Sequence, residues 1–253
     1  MEDIFIKVTE FCHDRVLQDG KIMSYLKDKR KLDLESINKF QIGLFPEDLR
    51  ELFQIADPKD LRSAGIIRHA SFSTFRIQNL VMPIRNAYGN YIALAGRTLL
   101  SEKERGEKGI PKYKNSVYKK SHHLFGLNFA KNSILKTGVA YVVEGYFDVI
   151  MPHQKGMNNV VATCGSFLST RHLALLSRYT DKIVIILDNE PVAQEKAQKI
   201  VEKRQYEGLS IVAENPLNDE SKDIDEYLRN HTLESLLANL EKGNYDNIKP
   251  LWD

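Results

Sequence analysis

The 253-residue chain has two cysteines, Cys12 and Cys164, and their separation excludes a disulfide framework and any CxxC-type zinc site. No apolar run approaches the ~18 residues of a membrane helix, and the opening MEDIFIKVTEF intersperses charge where a secretory segment carries an apolar core. Neither GxGxxG nor a P-loop pattern occurs, which argues against a dinucleotide enzyme or a motor ATPase. Net charge is only +2, a sum that does not announce a nucleic-acid binder. What remains is a soluble globular protein, 42% hydrophobic and 28% charged, long enough for one large domain or two small ones and expected in the cytoplasm.

Charge distribution says more than the sum. Between Ser101 and Lys120 seven basic residues stand against three acidic ones, while Asp219, Glu220, Asp223, Asp225 and Glu226 gather the acids. One segment is suited to phosphate and the other to a cation; the plainer reading of each is a solvated loop.

Three regions follow along the chain. Up to about Arg68 the spacing is helical, with Phe5, Val8, Thr9, Cys12 and Val16 on one face and Ile22, Tyr25 and Leu26 on another. From Ser71 to about Lys131 the pattern shortens into strands. NLVMPI and YIALAG flank a turn at Asn86 to Asn90 and predict a hairpin, followed by an exposed, mobile Gly/Lys/Glu-rich loop. From Gly138 strands and helices alternate, which predicts a parallel sheet with crossover helices. One predicted helix starts at Pro191 and aligns Ala193, Ala197, Ile200 and Val201. Another follows a Thr232 cap and aligns Leu233, Leu236, Leu237 and Leu240. The division expected is 1–137, helical and mixed; 138–215, the parallel sheet; and 216–253, an acidic motif with C-terminal helices.

Two predicted strands end in acid. VVEGYFDVI, Val142 to Ile150, runs into Glu144, and KIVIILDNEP, Lys182 to Pro191, runs into Asp188, Asn189 and Glu190. Parallel sheets bind ligands at the carboxyl ends of their strands, and carboxylates gathered there are made tolerable by a hard divalent cation. Each motif also has an ordinary structural reading. Asp188 and Asn189 before Pro191 make a turn with a cap, Glu144-Gly145 a tight strand exit, and Asp223 with Glu226 a capping box. The conjunction of all three favours the metal.

From about Phe75 to Asn230 the chain resembles the catalytic core of DnaG-type bacterial and phage primases, with the Toprim fold from Gly138 onward. The carriers are EGYFDV at Glu144 to Val149, LDNE at Leu187 to Glu190, SKDIDEYL at Ser221 to Leu228, VMPIRNAYGNYIALAGRTL, KYKNS at Lys112 to Ser116, and HLFGL at His123 to Leu127. Toprim alone is shared with topoisomerases, nucleases and recombination proteins, whereas KYKNS and the MPIR motif single out primases.

The resemblance implies an α/β fold with a Toprim-type parallel sheet, preceded by a helical and mixed β subdomain and followed by C-terminal helices. It implies RNA primer synthesis on single-stranded DNA from ribonucleoside triphosphates, dependent on Mg2+ or Mn2+ and with no zinc site in this chain. Glu144, Asp188 and Glu190 would be catalytic, and those three with Asp148, Asp223 and Asp225 would hold metal. Arg76, Arg85, Arg97, Lys112, Tyr113, Lys114 and Asn115 would contact nucleotide or DNA. A replicative helicase is implied as partner, as is a zinc-binding module from a missing region or another chain, in the cytoplasm of a bacterium or a phage-infected host. Glu190 replaces the family's second aspartate, PVAQ an Ala-Gly pair, and Asn79 an expected arginine. These departures keep two alternatives open: a Toprim nuclease or strand-transfer enzyme, and a catalytically weakened protein that binds nucleic acid or a replication partner.

Overall fold

A computed structural model describes residues 2–69, 72–165, 168–186, 188–189 and 208–242. The chain divides into two compact units, Met1–Tyr118 and Lys119–Asp253.

In the first unit, α1 (Glu2–Gln18) buries the expected stripe of Phe5, Val8, Thr9, Cys12 and Val16. Asp19 accepts from the Ile22 amide at 2.9 Å and starts α2 (Gly20–Ser24), which continues into a π turn at Tyr25–Lys29. Then come α3 (Leu34–Lys39), β1 (Gly43–Leu44), α4 (Arg50–Phe53), α5 (Pro58–Ser63), β2 (Ile67–His69) and β3 (Phe72–Ser73). The predicted hairpin is β4 (Leu80–Arg85) and β5 (Tyr91–Arg97), and its turn is fastened by Asn86, whose Oδ1 accepts from the Tyr88 and Asn90 amides. With β6 (Tyr113–Asn115) they form an antiparallel sheet of order β1-β4-β5-β6. Phe45 and Phe75 meet in its core with ring centroids 5.3 Å apart, a tilted pair adding about 0.5–1.5 kcal/mol beyond area burial.

The stretch expected to be a loop contains a helix, α6 (Glu102–Lys108). Ser101 accepts from the Glu104 amide, the Glu104 carboxylate accepts from Ser101 N at 2.8 Å, and Gly109 closes the helix in the left-handed region. This capping box stabilises about two turns that bury no residue, so an apolar stripe never marked them.

In the second unit, a 3-10 turn at Lys120–His122 leads to α7 (Leu127–Thr137), β7 (Val139–Val143), α8 (Phe147–Gln154), β8 (Val160–Ala162), α9 (Thr170–Leu176), β9 (Lys182–Ile186) and β10 (Ser210–Glu214). The unit closes with α10 (Ile224–Asn230) and α11 (Leu233–Lys242). The four strands form the predicted parallel sheet, in the order β10-β9-β7-β8. Val160–Ala162 is buried throughout and Ile183–Ile186 likewise, as strands covered on both faces require. In α11 Leu236 and Leu240 are buried, and Thr232 Oγ1 accepts from the Ser235 amide at its start. The helix predicted from Pro191 lies outside the described residues.

The unit boundary falls earlier than the 137/138 division expected from sequence. Phe125 exchanges backbone hydrogen bonds of 2.9 and 3.0 Å with Ala162, and α7 packs on β7 and β8, so residues 119–137 belong with the parallel sheet. The acidic motif and its helices also belong there, because α10 packs on α8. No helix among the described residues is long and apolar enough to cross a membrane.

Candidate functional site

The acidic candidates leave the parallel sheet at its carboxyl edge. β7 and β9 are neighbours, with Val142 opposite Ile185, so Glu144 follows that pair by two residues on one strand and Asp188 by three on the other. Adjacent strands run about 4.8 Å apart. Glu144 follows β7 directly and is exposed; Asp188 is half-buried.

Behind Glu144 the chain turns into α8 at once. A Cβ on Gly145 would stand 2.4 Å from Asp148 Oδ2, so the Asp148 carboxylate occupies the space a side chain would fill. Asp148 is 7% exposed in the first turn of α8, where the helix N-terminus favours an anion. A side chain at 145 would therefore have to displace the Asp148 carboxylate, and the EG pair is more than a strand exit.

Asn189, read in the sequence only as part of a turn, proves to be a fastener. Its amide donates to Lys222 O at 2.8 Å, its Nδ2 donates to Asp219 O at 3.1 Å, and its Oδ1 accepts from Asn215 Nδ2 at 3.2 Å. Two bonds therefore tie the exit of β9 to the acidic segment, and the third ties it to the residue after β10. Asp219 in turn accepts from Ser221 N at 2.9 Å and stands 2.7 Å from His231 Nε2. Burial opposes ionisation of Asp219, but the bonds from Ser221 and His231 outweigh it and lower its pKa.

The outer acids are partly spent on structure. Asp223 caps α10, accepting from the Glu226 amide at 2.8 Å, while Glu226 accepts from Lys222 N at 3.0 Å. Asp225 is 1% exposed and pairs with Arg229 Nε at 3.2 Å. Glu190 lies outside the described residues. The donors at this edge are all carboxylate oxygens, a set that fits a hard divalent cation. Among the described residues no three His, Cys, Asp or Glu side chains stand together to hold a metal ion. A magnesium-type ion is commonly bound by one or two carboxylates plus substrate phosphates, so a sparse carboxylate set suits it.

The basic candidates belong to the first unit, and cross-strand register sorts them. Arg97 pairs with Tyr113 and Ala95 with Asn115, so Arg97, Tyr113 and Asn115 share a face of the sheet. The Tyr113 ring stands 5.8 Å from the Arg97 guanidinium and 5.7 Å from Lys112 Nζ, within reach of two cations. Lys114, opposite Gly96, lies on the other face. Gly96 permits the close packing behind this face, since a Cβ there would meet Gln78 O at 2.3 Å and Phe75 Cδ1 at 2.4 Å. Buried Gln78 donates to Pro111 O at 2.8 Å and fixes the approach to β6. Arg76 is exposed before β4, 5.8 Å from the Phe72 ring.

Arg85 stands apart from this group. It ends β4, whose other end, Leu80, pairs with Arg97, so about 17 Å of strand separates them. Its guanidinium stacks 4.5 Å over Tyr91, and Nη2 donates to Gln41 Oε1 and to Tyr91 Oη, the latter at 2.8 Å. The Tyr91 amide donates to Glu2 Oε1 at 3.1 Å, so Arg85 belongs to a clamp between the hairpin and α1.

Other reactive residues are quiet. Burial pushes the Cys164 thiol far above its ordinary value, which disfavours a nucleophile. His122 engages Arg171, and burial followed by neighbouring cations lowers its pKa.

The chain resembles known proteins across both units. Residues 11–131 match the N-terminal domain of the DNA primase catalytic core, and residues 141–228 match a Toprim-like domain. A DNA primase of Synechococcus elongatus is 34% identical over 251 residues, 91% of this chain and 34% of that protein. One from Clostridium acetobutylicum is 32% identical over 239 residues, 89% of this chain and 38% of that protein. The zinc-binding and RNA polymerase domains of Aquifex aeolicus primase match with a TM-score of 0.81 at 26% identity, covering 95% of this chain and 60% of that one. A DnaG primase catalytic domain bound to single-stranded DNA matches at 0.79 and 26%, covering 95% and 80%. The chain spans little more than a third of the length of the curated relatives it matches.

Proposed function

The chain belongs with the DnaG-type primase catalytic cores, and on that premise we propose that it extends RNA primers on single-stranded DNA, as a nucleotidyltransferase that uses ribonucleoside triphosphates. The observation that carries the reading is the edge where neighbouring parallel strands β7 and β9 release Glu144 and Asp188 within a residue of one another.

A divalent cation held at such an edge would supply neutralisation of triphosphate charge for attack by a primer 3'-hydroxyl. Glu144 and Asp188 supply oxygens to hold it, with Asp148 behind them and Glu190 completing the set. Asp223 and Asp225 contribute mainly by fixing α10, since one is spent on a cap and the other faces Arg229. Arg97, Lys112 and Asn115 contact nucleotide or template phosphates, which positions the strand without reading its sequence. Tyr113 holds the two cations in place and offers a ring to a base. Arg76 and Lys114 add attraction from beside and behind this face. A replicative helicase and a zinc-binding module are the partners this reading expects, with Mg2+ or Mn2+ as the ion and the cytoplasm as the compartment.

The test is extension of an RNA primer annealed to single-stranded DNA, with ribonucleotides and either ion. Growth that stops when the ion is chelated is the expected result. No growth with either ion, from protein shown by circular dichroism to be folded, would overturn the proposal.

A further inference from the structure

The basic run between Ser101 and Lys120 ends in Lys119 and Lys120, which belong to the second unit and not to the sheet that carries Arg97 and Lys112. They lie in the first of two stretches without acid: no Asp or Glu occurs between Glu107 and Glu144, nor between Asp148 and Asp181. The 3-10 turn at Lys120–His122, α7, β7, β8 and α9 all fall within these stretches. Cations carried there find no carboxylate on their own element to pair with.

The turn is built as a platform. Ser169 Oγ donates to Ser121 O at 2.9 Å, and Lys120 Nζ donates to Cys164 O at 3.4 Å. Buried His172 accepts from the Ser169 amide through Nδ1 at 3.2 Å, which leaves Nε2 as the protonated nitrogen, and Nε2 donates to Lys120 O at 2.8 Å. These bonds hold the turn against α9 and the exit of β8 before any ligand arrives, so little order is lost on binding.

The side chains on this platform select an anion. His122 accepts from the guanidinium of exposed Arg171 through Nε2. Arginine only donates, so the imidazole makes this bond in its neutral form. Burial first, then Arg171 and Lys119, lower the His122 pKa, and both of those neighbouring charges are cations. Lys119 is itself exposed. A guanidinium held by an imidazole keeps its whole charge for an incoming ligand, which one held by a carboxylate does not.

Position narrows the anion to a long one. Val143 pairs with Ala162, and the Thr163 amide donates to Val143 O at 3.1 Å, so the β8 exit that carries Cys164 runs beside the β7 exit that carries Glu144. The acids at this edge, Glu144 and Asp148, are those assigned to the divalent cation. A ligand whose end reacts there and whose charge repeats along its length reaches past β7 to the neighbouring exit, as a nucleic-acid strand does.

We propose that Lys119, His122 and Arg171 bind the phosphodiester backbone of the nucleic acid whose end lies at the acidic edge. The identity of that end rests on the polymerase reading, whereas backbone binding is measured without synthesis.

Fluorescence anisotropy of a labelled RNA–DNA hybrid with a single-stranded DNA overhang, titrated with the full chain over a range of salt and without ribonucleotides, tests it. Arg171→Ala should weaken binding about threefold or more at about 0.1 M salt and lower the slope of log affinity against log salt by about 0.7–0.9, one phosphate contact. Lys119→Ala/Arg171→Ala should lower the slope by about twice as much, and Arg171→Lys should keep most of it. Lys136→Ala removes the same charge from the end of α7, which leads into the amino end of β7 at the opposite edge, and should change neither affinity nor slope. Circular dichroism melts coincident with wild type qualify each variant. A slope unchanged in Lys119→Ala/Arg171→Ala, or lowered equally by Lys136→Ala, would overturn the proposal. So would affinity for ATP or for an oligoglutamate peptide that falls in the double variant while the hybrid slope stays at the wild-type value. Primer extension on the same preparations separates the two claims. Lowered slopes with no extension even in wild type would keep the patch and remove the polymerase reading, and normal extension with unchanged slopes would remove the patch alone.

Discussion

The basic face and the acidic edge solve the same problem, fixing charged side chains in space, by different means. Arg97, Tyr113 and Asn115 sit inside paired strands, where register decides their face and the Tyr113 ring lies within about 6 Å of both the Arg97 and Lys112 cations. Glu144, Asp188 and Asp223 lie beyond strand ends, where register no longer acts. There a glycine approach, a helix N-terminus and the three Asn189 bonds take over. Cations held by a ladder are positioned by the fold as a whole. Acids held by loops depend on a few local contacts, each of which a single substitution removes.

Among the groups that position the acids, that difference predicts the largest effect at Gly145. Gly145→Ala drives a Cβ into the Asp148 carboxylate, which should cost about 1–3 kcal/mol of stability and reduce primer extension by more than about a hundredfold. Adding Asp148→Ala should restore the melting temperature but not extension, because the clash is relieved while the carboxylate stays lost. Stability that stays low in the double variant would show that the 2.4 Å approach is not what demands glycine.

A smaller effect should divide the arginines. Arg97→Ala is expected to weaken single-stranded DNA binding and lower the slope of log affinity against log salt by about 0.7, one phosphate contact on a single strand. Arg85→Ala should leave that slope unchanged and instead cost about 1–2 kcal/mol, from lost hydrogen bonds to Gln41 and Tyr91 and a lost cation–π stack. Equal slopes for the two variants would erase the separation that register draws between them.

The smallest effect is a pH dependence at the acidic edge. The folded state keeps Asp219 ionised below the ordinary carboxylate range, so its contribution is complete above pH ~4 and is lost as pH falls through the lowered value. Melting temperatures from pH 6 to about 2.5 should show a shallower acid-side decline in Asp219→Asn than in wild type. Parallel declines would remove Asp219 as the group that fastens this segment.

Much of this was legible in the sequence, for identifiable reasons. The hairpin was visible because Asn86 to Asn90 is strong turn chemistry, and the parallel sheet because buried strands read as unbroken apolar runs. The two residues of β1 are too few for any period, and α6 buries no side chain, so only its capping box could have revealed it. Glu144 and Asp188 were legible as acids following apolar runs. Sequence could not distinguish Asp223 as ligand from Asp223 as cap, because both uses need a carboxylate at that spacing. Nor could it place Arg85 and Arg97 at opposite ends of the hairpin, which takes the pairing of Leu80 with Arg97 and Arg85 with Tyr91.

The most direct test of the division between chemistry and grip compares Glu144→Gln with Lys112→Ala, measuring single-stranded DNA affinity and primer extension on the same preparations. Glu144→Gln should bind DNA within about twofold of wild type and lose extension by about a thousandfold or more. Lys112→Ala should bind more weakly, with a lower salt slope, and recover most of its extension at saturating DNA. Extension that survives in folded Glu144→Gln, or a Lys112→Ala variant that binds normally yet cannot extend, would contradict the account.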